Sequence, residues 1–262
     1  MNKMFVIGDL HANSRRELLQ INSKNFPEQK QLTKQDFLFQ LGDFGFIWEY
    51  SNTLAFKKEI KRIEKELTFR NFSWFVILGN HENYHTIREF PLINKFGGKV
   101  RVLETKNGKI YFAERGEIYT INGQKIFTFG GAKSQDKDFR ISLQDTINSN
   151  GRIKRSKVSF WEEELPTQEE IDYAYSNLEK HNWEVDFVFT HTGPKSVVAT
   201  FENYIKAIDP VAIFLDDIAK KIKCKKGWHF GHLHINDWTV FNDINFFVHY
   251  NRPPVQVLPE EE

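Results

Sequence analysis

A chain of 262 residues with 36 Lys and Arg against 35 Asp and Glu carries a formal charge of +1, which argues against a generally polyanion-coating surface and leaves only local basic patches. Hydrophobic residues make up 40% of it and Phe alone counts 25, enough for a substantial core without staples. The single cysteine, Cys224, excludes an internal disulfide and a cysteine-built zinc site, and it fits a reducing compartment.

The first apolar run, Met4 to Ile7, is too short for a signal peptide and passes directly into Gly8-Asp9. No window approaches the length of a membrane span, so a soluble cytoplasmic protein without membrane contact is expected. That run is the first of five that end on Gly, Asp, Asn or His. The others are Phe37 to Leu41 before Gly42-Asp43, Trp74 to Leu78 before Gly79-Asn80-His81, Phe187 to Thr190 before His191, and Trp228 to Phe230 before Gly231-His232-Leu233-His234. All are short, rich in β-branched and aromatic residues and bounded by Gly or polar residues, which reads as buried strands. Strands that stop on such residues gather them at one sheet edge, where open α/β proteins keep their sites.

Helices are expected between the strands. Asn52 to Arg70 spaces Phe56, Ile60, Ile63 and Leu67 along one face. Thr167 and Glu170 form a capping box that opens a helix running to about His181, and Asp209-Pro210 opens a third. Lys109 to Phe112, Glu117 to Ile121 and Lys125 to Phe129 read as short strands, the last two turning at Asn122-Gly123. Asp237 to Phe241 and Asn245 to Tyr250 add a second hairpin. The mixture predicts two stacked sheets with helices outside, in one domain spanning residues 1–262. Lys220 to Lys226 is expected to be a solvated turn after the third helix, and His229 a core histidine.

One stretch, from about 132 to 164, lacks regular apolar spacing and reads as a polar insertion. Between Lys133 and Lys157 it holds seven basic residues (Lys133, Lys137, Arg140, Arg152, Lys154, Arg155, Lys157) against three acidic ones (Asp136, Asp138, Asp145). Segments of this length are solvated insertions or else binding loops and lids.

The chemistry lies in the strand ends. Asp9, His11, Asp43, Asn80, His191, His232 and His234 offer seven oxygen and nitrogen donors and no sulfur. That is too many for one tetrahedral zinc and suits two divalent ions, whether Mn, Fe, Zn or Co. Two such ions with two carboxylates and a bridging hydroxide remain net positive, which suits a phosphate-bearing substrate. His81 follows Asn80 and faces the same rim, where an imidazole can stabilise phosphoryl charge or protonate a leaving oxygen.

Gly8-Asp9-Leu10-His11, Gly42-Asp43, Gly79-Asn80-His81-Glu82, His191 and Gly231-His232-Leu233-His234 resemble, in order, the five signature blocks of the calcineurin-like metallophosphoesterases. The resemblance spans residues 8 to 234. It implies a four-layer α/β sandwich of two mixed β-sheets flanked by helices, and a dinuclear centre. It also implies that Asp9, His11 and His234 hold one metal, that Asn80, His191 and His232 hold the other, that Asp43 bridges them and that His81 is the catalytic histidine. The expected function is hydrolysis of a phosphate mono- or diester by a metal-bridging hydroxide, with a nucleotide or oligonucleotide as candidate substrate and no obligate protein partner. Gly42-Asp43-Phe44-Gly45 lacks the Asp-Arg-Gly that follows in protein Ser/Thr phosphatases, which disfavours that alternative. The other rivals are a nuclease, towards which the central loop and Phe44, Phe46 and Trp48 as stacking groups point, a debranching-type phosphodiesterase, whose branch the Gly130-Gly131-Ala132-Lys133-Ser134 turn resembles, and a non-catalytic scaffold of the same fold. Arg140, with Lys133, is the preferred substitute for the missing phosphate-binding Arg.

Overall fold

Alternation inside the apolar runs decides the architecture. In the computed structural model, which describes residues 2–12, 17–141, 160–201 and 208–257, Met4 and Val6 face one apolar layer while Phe5 and Ile7 face another. Phe75 and Ile77 likewise oppose Trp74 and Val76. Strands buried on both faces need a layer on each side, and the chain supplies a sheet on one and helices on the other.

In chain order the elements are β1 (Met4–Ile7), β2 (Phe37–Leu41), α1 (Leu54–Ile63), β3 (Ser73–Ile77), α2 (Tyr84–Arg88), β4 (Leu92–Lys95), β5 (Gly98–Thr105) and β6 (Gly108–Ala113). There follow β7 (Ile118–Ile121), β8 (Gln124–Phe129), α3 (Gln168–Lys180), β9 (Glu184–Thr190), α4 (Lys195–Val198), α5 (Pro210–Ala219), β10 (Lys223–Phe230), β11 (Asp237–Phe241), β12 (Ile244–Val248) and β13 (Val255–Gln256). The first sheet has the order β13-β1-β2-β3-β6-β5-β4 and the second β11-β12-β10-β9-β8-β7. Both are mixed: β1, β2, β3 and β6 run parallel, as do β8, β9, β10 and β12, and antiparallel strands close the edges. The fold is therefore the helix–sheet–sheet–helix sandwich that the resemblance implies.

Phenylalanine fills the space between the sheets. Phe39 of β2 meets Phe75 of β3 at 5.3 Å between ring centroids and Phe189 of β9, across the interface, at 4.8 Å. Outside the first sheet, Ile63 and Leu67 from the α1 segment cover Leu38, Trp74 and Val76. Outside the second, Ala174 and Leu178 of α3 and Leu215 of α5 cover Val188, Trp228 and Phe230.

Local signals hold where they rest on backbone chemistry. The Thr167–Glu170 capping box is formed in both directions, and Asp209 caps α5 by accepting from the Val211 N–H. Asn122 and Gly123 both take left-handed φ, +53° and +77°, as a tight hairpin turn requires. One expectation fails. Lys223 to Lys226 are not a solvated turn but the start of β10, where Lys223 pairs with Glu184 and Cys224 with Val185. The alternation of exposed Lys223, buried Cys224 and exposed Lys225 is a strand period that the lysines disguise. His229 is only half satisfied: its Nδ1 meets His249 Nε2 at 2.9 Å, while its buried Nε2 has no hydrogen-bond partner. No helix among the described residues is long and apolar enough to cross a membrane.

Truncating Phe39 removes a ring that packs within its own sheet and across to the other. Phe39→Ala should cost about 3–5 kcal/mol of unfolding free energy and Phe39→Leu clearly less. Chemical denaturation of both variants checks the order.

Candidate metal centre

The loops after β1, β2, β3, β9 and β10 converge at one end of the two sheets, and glycine is what lets them approach. A Cβ on Gly42, whose φ is +91°, would lie 2.1 Å from Nδ1 of His191 on the opposite sheet. A Cβ on Gly231 would lie 2.4 Å from Oδ1 of Asp9. The residues they position are held in left-handed backbone that L side chains adopt at a cost: φ is +49° at His11, +54° at Asp43, +64° at His232 and +55° at His234.

Asp43 is the centre of the array. Its backbone carbonyl accepts the N–H groups of Leu10 (3.1 Å) and His11 (2.7 Å), tying the first loop to the second. Its carboxylate is 1% exposed, and Oδ1 accepts the backbone N–H of His81 at 2.9 Å. Oδ1 also lies 3.4 Å from His191 Nε2, while Oδ2 lies 3.7 Å from His11 Nδ1 and 3.8 Å from His81 Nε2. Each oxygen thus faces a different group of side chains.

Asp9, His11, Asp43 and His234 each present one ligand-type atom, all within 4.8 Å of one another. His234 Nε2 stands 3.3 Å from Asp9 Oδ2 and 3.0 Å from His11 Nε2. The His232 N–H donates to both Asp9 oxygens at 3.1 Å. On the Oδ1 side, His191 donates from Nδ1 to the Leu41 carbonyl at 2.8 Å, which turns its Nε2 into the site. Nε2 points at Asn80 Oδ1, 2.9 Å away. The Asn80 nitrogen is turned outward, donating to Ser134 Oγ at 3.0 Å. A proton or a metal cation between the two atoms satisfies both. The His232 ring packs edge-on to that of His191, 5.0 Å between centroids.

The electrostatics of the uncharged-up site agree. Burial, and then the neighbouring Asp43, pushes the Asp9 carboxyl well above its usual range. Burial would raise Asp43 too, but the surrounding imidazoles, His191 foremost, hold it low. Burial, then Asp43, pushes Glu82 up to about 8, and its carboxylate accepts the Phe44 N–H, binding the second loop to the third. Burial lowers His232 to about 3 and His81 to about 4, with Arg140 contributing at His81. The donor set of two carboxylates, four imidazoles and an amide oxygen fits divalent ions.

His81, His11 and His234 line the open face, with Arg140 beside them. Arg140 comes from a helical turn at residues 137–141 and lays its guanidinium against both ring nitrogens of His81, Nη2 meeting Nε2 at 2.8 Å. Asp136 Oδ2 holds the Arg140 Nε at 2.7 Å. Lys133 instead donates to the Ile208 carbonyl at 3.3 Å. Arg152, Lys154, Arg155 and Lys157 lie outside the described residues. Phe44 and Phe46 are buried in the core under the first sheet rather than available for stacking on a ligand. Trp48 packs 5.9 Å from Trp161 and donates its Nε1 to the Gly45 carbonyl. Sequence reasoning missed Gln40, which brackets Gly42 through its amide, and Glu164 and Arg115, which sit in no motif, while Ser134 stands out in the sequence only as the end of the turn that begins at Gly130.

A family model described as calcineurin-like phosphoesterase matches residues 3–249. Among solved structures the chain is similar to phosphopantetheinyl hydrolase (PptH) from Mycobacterium tuberculosis, at 14% identity and TM-score 0.44, covering 99% of this chain and 96% of that one. It is similar to GAP50, the anchor in the inner membrane complex of Plasmodium, at 12% identity and TM-score 0.50, covering 95% and 71%. A third is the calcineurin-like phosphoesterase YfkN from Bacillus subtilis, at 13% identity and TM-score 0.35, covering 94% and 80%. Identities this low speak to the fold alone. No curated protein sequence matches the chain.

Glu82 makes the metal-free state pH-sensitive. Its folded pKa of about 8 exceeds the ordinary 4.5, so the folded protein keeps a proton that the unfolded chain releases, and this contribution to stability is lost as pH rises between those values. The buried histidines act oppositely below about 6.5, the ordinary histidine value. The test is therefore the difference between EDTA-treated wild type and Glu82→Gln: the variant should gain relative stability steadily from pH 5 to 8 in thermal unfolding. A pH-independent difference would contradict the burial argument.

Proposed function

The chain belongs to the calcineurin-like phosphoesterase family, and on that premise we propose that it is a metal-dependent hydrolase of phosphate esters. The observation that carries this reading is the convergence of proton acceptors on both oxygens of a buried Asp43. Asp9, His11 and His234 would hold one divalent ion and Asn80, His191 and His232 the other, with Asp43 shared between them. Mn, Fe, Zn or Co would suit the donors. Such a pair supplies Lewis acidity for activating water and for neutralising phosphoryl charge.

The chain's own residues do the rest. The floor of the site is closed, since His191 is 0% and Asp9 5% exposed, and among the described residues the open side is that of His11, His81 and His234. His81 is set there by its backbone N–H to Asp43, so its ring, which rests against Arg140, is not needed to hold the loop and can act on the substrate. The ring can hold a proton on Nε2 for a phosphoryl or leaving oxygen. Arg140 presents a planar pair of donors at the same spot, a geometry that suits two phosphate oxygens. A phosphate reaching His81 would displace the Arg140–His81 contact and turn the guanidinium towards a second phosphate beside it. This favours substrates with extra phosphates, such as nucleotides or oligonucleotides. The burial of Phe44 and Phe46 withdraws the stacking argument for a nuclease.

Three substitutions separate these roles. Asp43→Asn should lose one or both metals and nearly all turnover while the protein stays folded. Retention of two metals with wild-type turnover would remove the bridging role. His81→Ala should keep its metal content by elemental analysis and lose about 10²–10⁴-fold in turnover of a chromogenic ester.

Arg140→Ala should raise KM for a nucleotide while barely changing the small ester. In wild type the nucleotide KM should climb with salt. Equal effects on both substrates would return Arg140 to a structural role.

A further inference from the structure

An asparagine is an ambiguous metal ligand, because one end of its amide binds a cation and the other repels it. In this chain a relay decides which end faces inward. The Glu164 carboxylate, 1% exposed, accepts both polar hydrogens of Ser134: Oε1 takes the backbone N–H at 2.9 Å and Oε2 takes the hydroxyl at 2.6 Å. With its own proton committed to Glu164, Ser134 Oγ can only accept from the next neighbour. That neighbour is Asn80, whose Nδ2 donates to it at 3.0 Å. The amide oxygen is thereby left towards His191 Nε2, 2.9 Å away.

We propose that Glu164, acting through Ser134, is the positioning group that orients the Asn80 amide and so builds the metal subsite of Asn80, His191 and His232. This rests on the two-metal reading above and deepens it. Ser134 and Glu164 stand at the two ends of the insertion, so the segment that reads as a surface elaboration contributes its base to the site. Arg115, 8% exposed, holds that base shut. It donates to the carbonyls of Gly130 (2.9 Å), Glu163 (2.8 Å), Glu164 (2.8 Å) and Leu165 (3.2 Å) and to Glu170 Oε2 (2.8 Å). A Cβ on Gly131 would lie 2.2 Å from the Glu164 carbonyl, so the two ends pack backbone to backbone.

The relay has a polarity, and the polarity can be reversed. In Glu164→Gln the Ser134 N–H still claims the side-chain oxygen, which places the amide nitrogen against Oγ as a donor. The Ser134 hydroxyl must then donate to residue 80 and draws the Asn80 oxygen away from the metal. An aspartate at position 80 has an oxygen at either end, welcomes that donor, and suffers no such loss.

The experiment is Mn²⁺ binding by calorimetry and by elemental analysis after dialysis, on the full chain. Wild type should bind two ions. Ser134→Ala and Glu164→Gln should keep one and bind the second about 10–100-fold more weakly, the scale on which groups supporting metal ligands act. Glu164→Gln introduced into Asn80→Asp should not weaken the second ion and should tighten it. Ser134→Ala, which removes a single oxygen, keeps the proposal testable should the Gln variant fold poorly. Unchanged second-ion affinity in both single variants, or the same loss from Glu164→Gln in both backgrounds, would overturn the relay alone. Fewer than two ions on wild type would overturn the two-metal reading and the relay with it.

Discussion

The structure depends on burying one ionised carboxylate where two sheets meet. Asp43 lies 1% exposed, its carbonyl tied to the first loop and its carboxylate to the third loop and to a histidine of the opposite sheet. A buried charge is costly unless paired, and among the described residues no Lys or Arg side chain pairs with it. Imidazoles and a second carboxyl group surround it instead. The imidazoles hold Asp43 ionised while Asp9 is pushed towards its neutral form, and the whole donor set fits divalent ions.

The same constraint explains the local backbone. Five loops must bring polar atoms within a few ångströms of one carboxylate, and side chains longer than a hydrogen would block them at Gly42 and Gly231. Four of the proposed ligand residues sit at positive φ, a cost that packed strands behind them can bear. Phe39, Phe75 and Phe189 supply that rigidity directly beneath the loops. Core and site are therefore one design: aromatic strands that cannot shift, ending on residues that must not.

Much of this was legible in the sequence because strand and ligand share a signal. An apolar run ending in Gly-Asp or Gly-Asn-His declares both, and all five runs became strands. The hairpin at Asn122-Gly123 and the cap at Thr167 were legible for the same reason: the backbone itself demands those residues. Strands β4 and β5 went unread, although Asn107-Gly108 marks the turn out of β5, because a solvent-facing edge strand such as β4 needs no apolar run. The start of β10 was hidden by its lysines. The roles of Ser134, Glu164 and Arg115 were invisible for a deeper reason. Groups that orient a ligand act through hydrogen bonds set by tertiary geometry, and no spacing in the chain encodes 134 meeting 164 or 115 meeting both ends of an insertion. Arg140 was chosen for its chemistry, and the fold brings it to His81, one residue from Asn80.

The central claim is that Asp43 sits between two cations. Crystals grown with Mn²⁺ and measured at its absorption edge test it most directly. The account predicts two anomalous peaks about 3.5–4 Å apart, the usual spacing of such pairs, one beside each Asp43 oxygen, the first near Asp9 and His234 and the second near Asn80 and His191. A single peak, or two peaks of which neither touches Asp43, would contradict it.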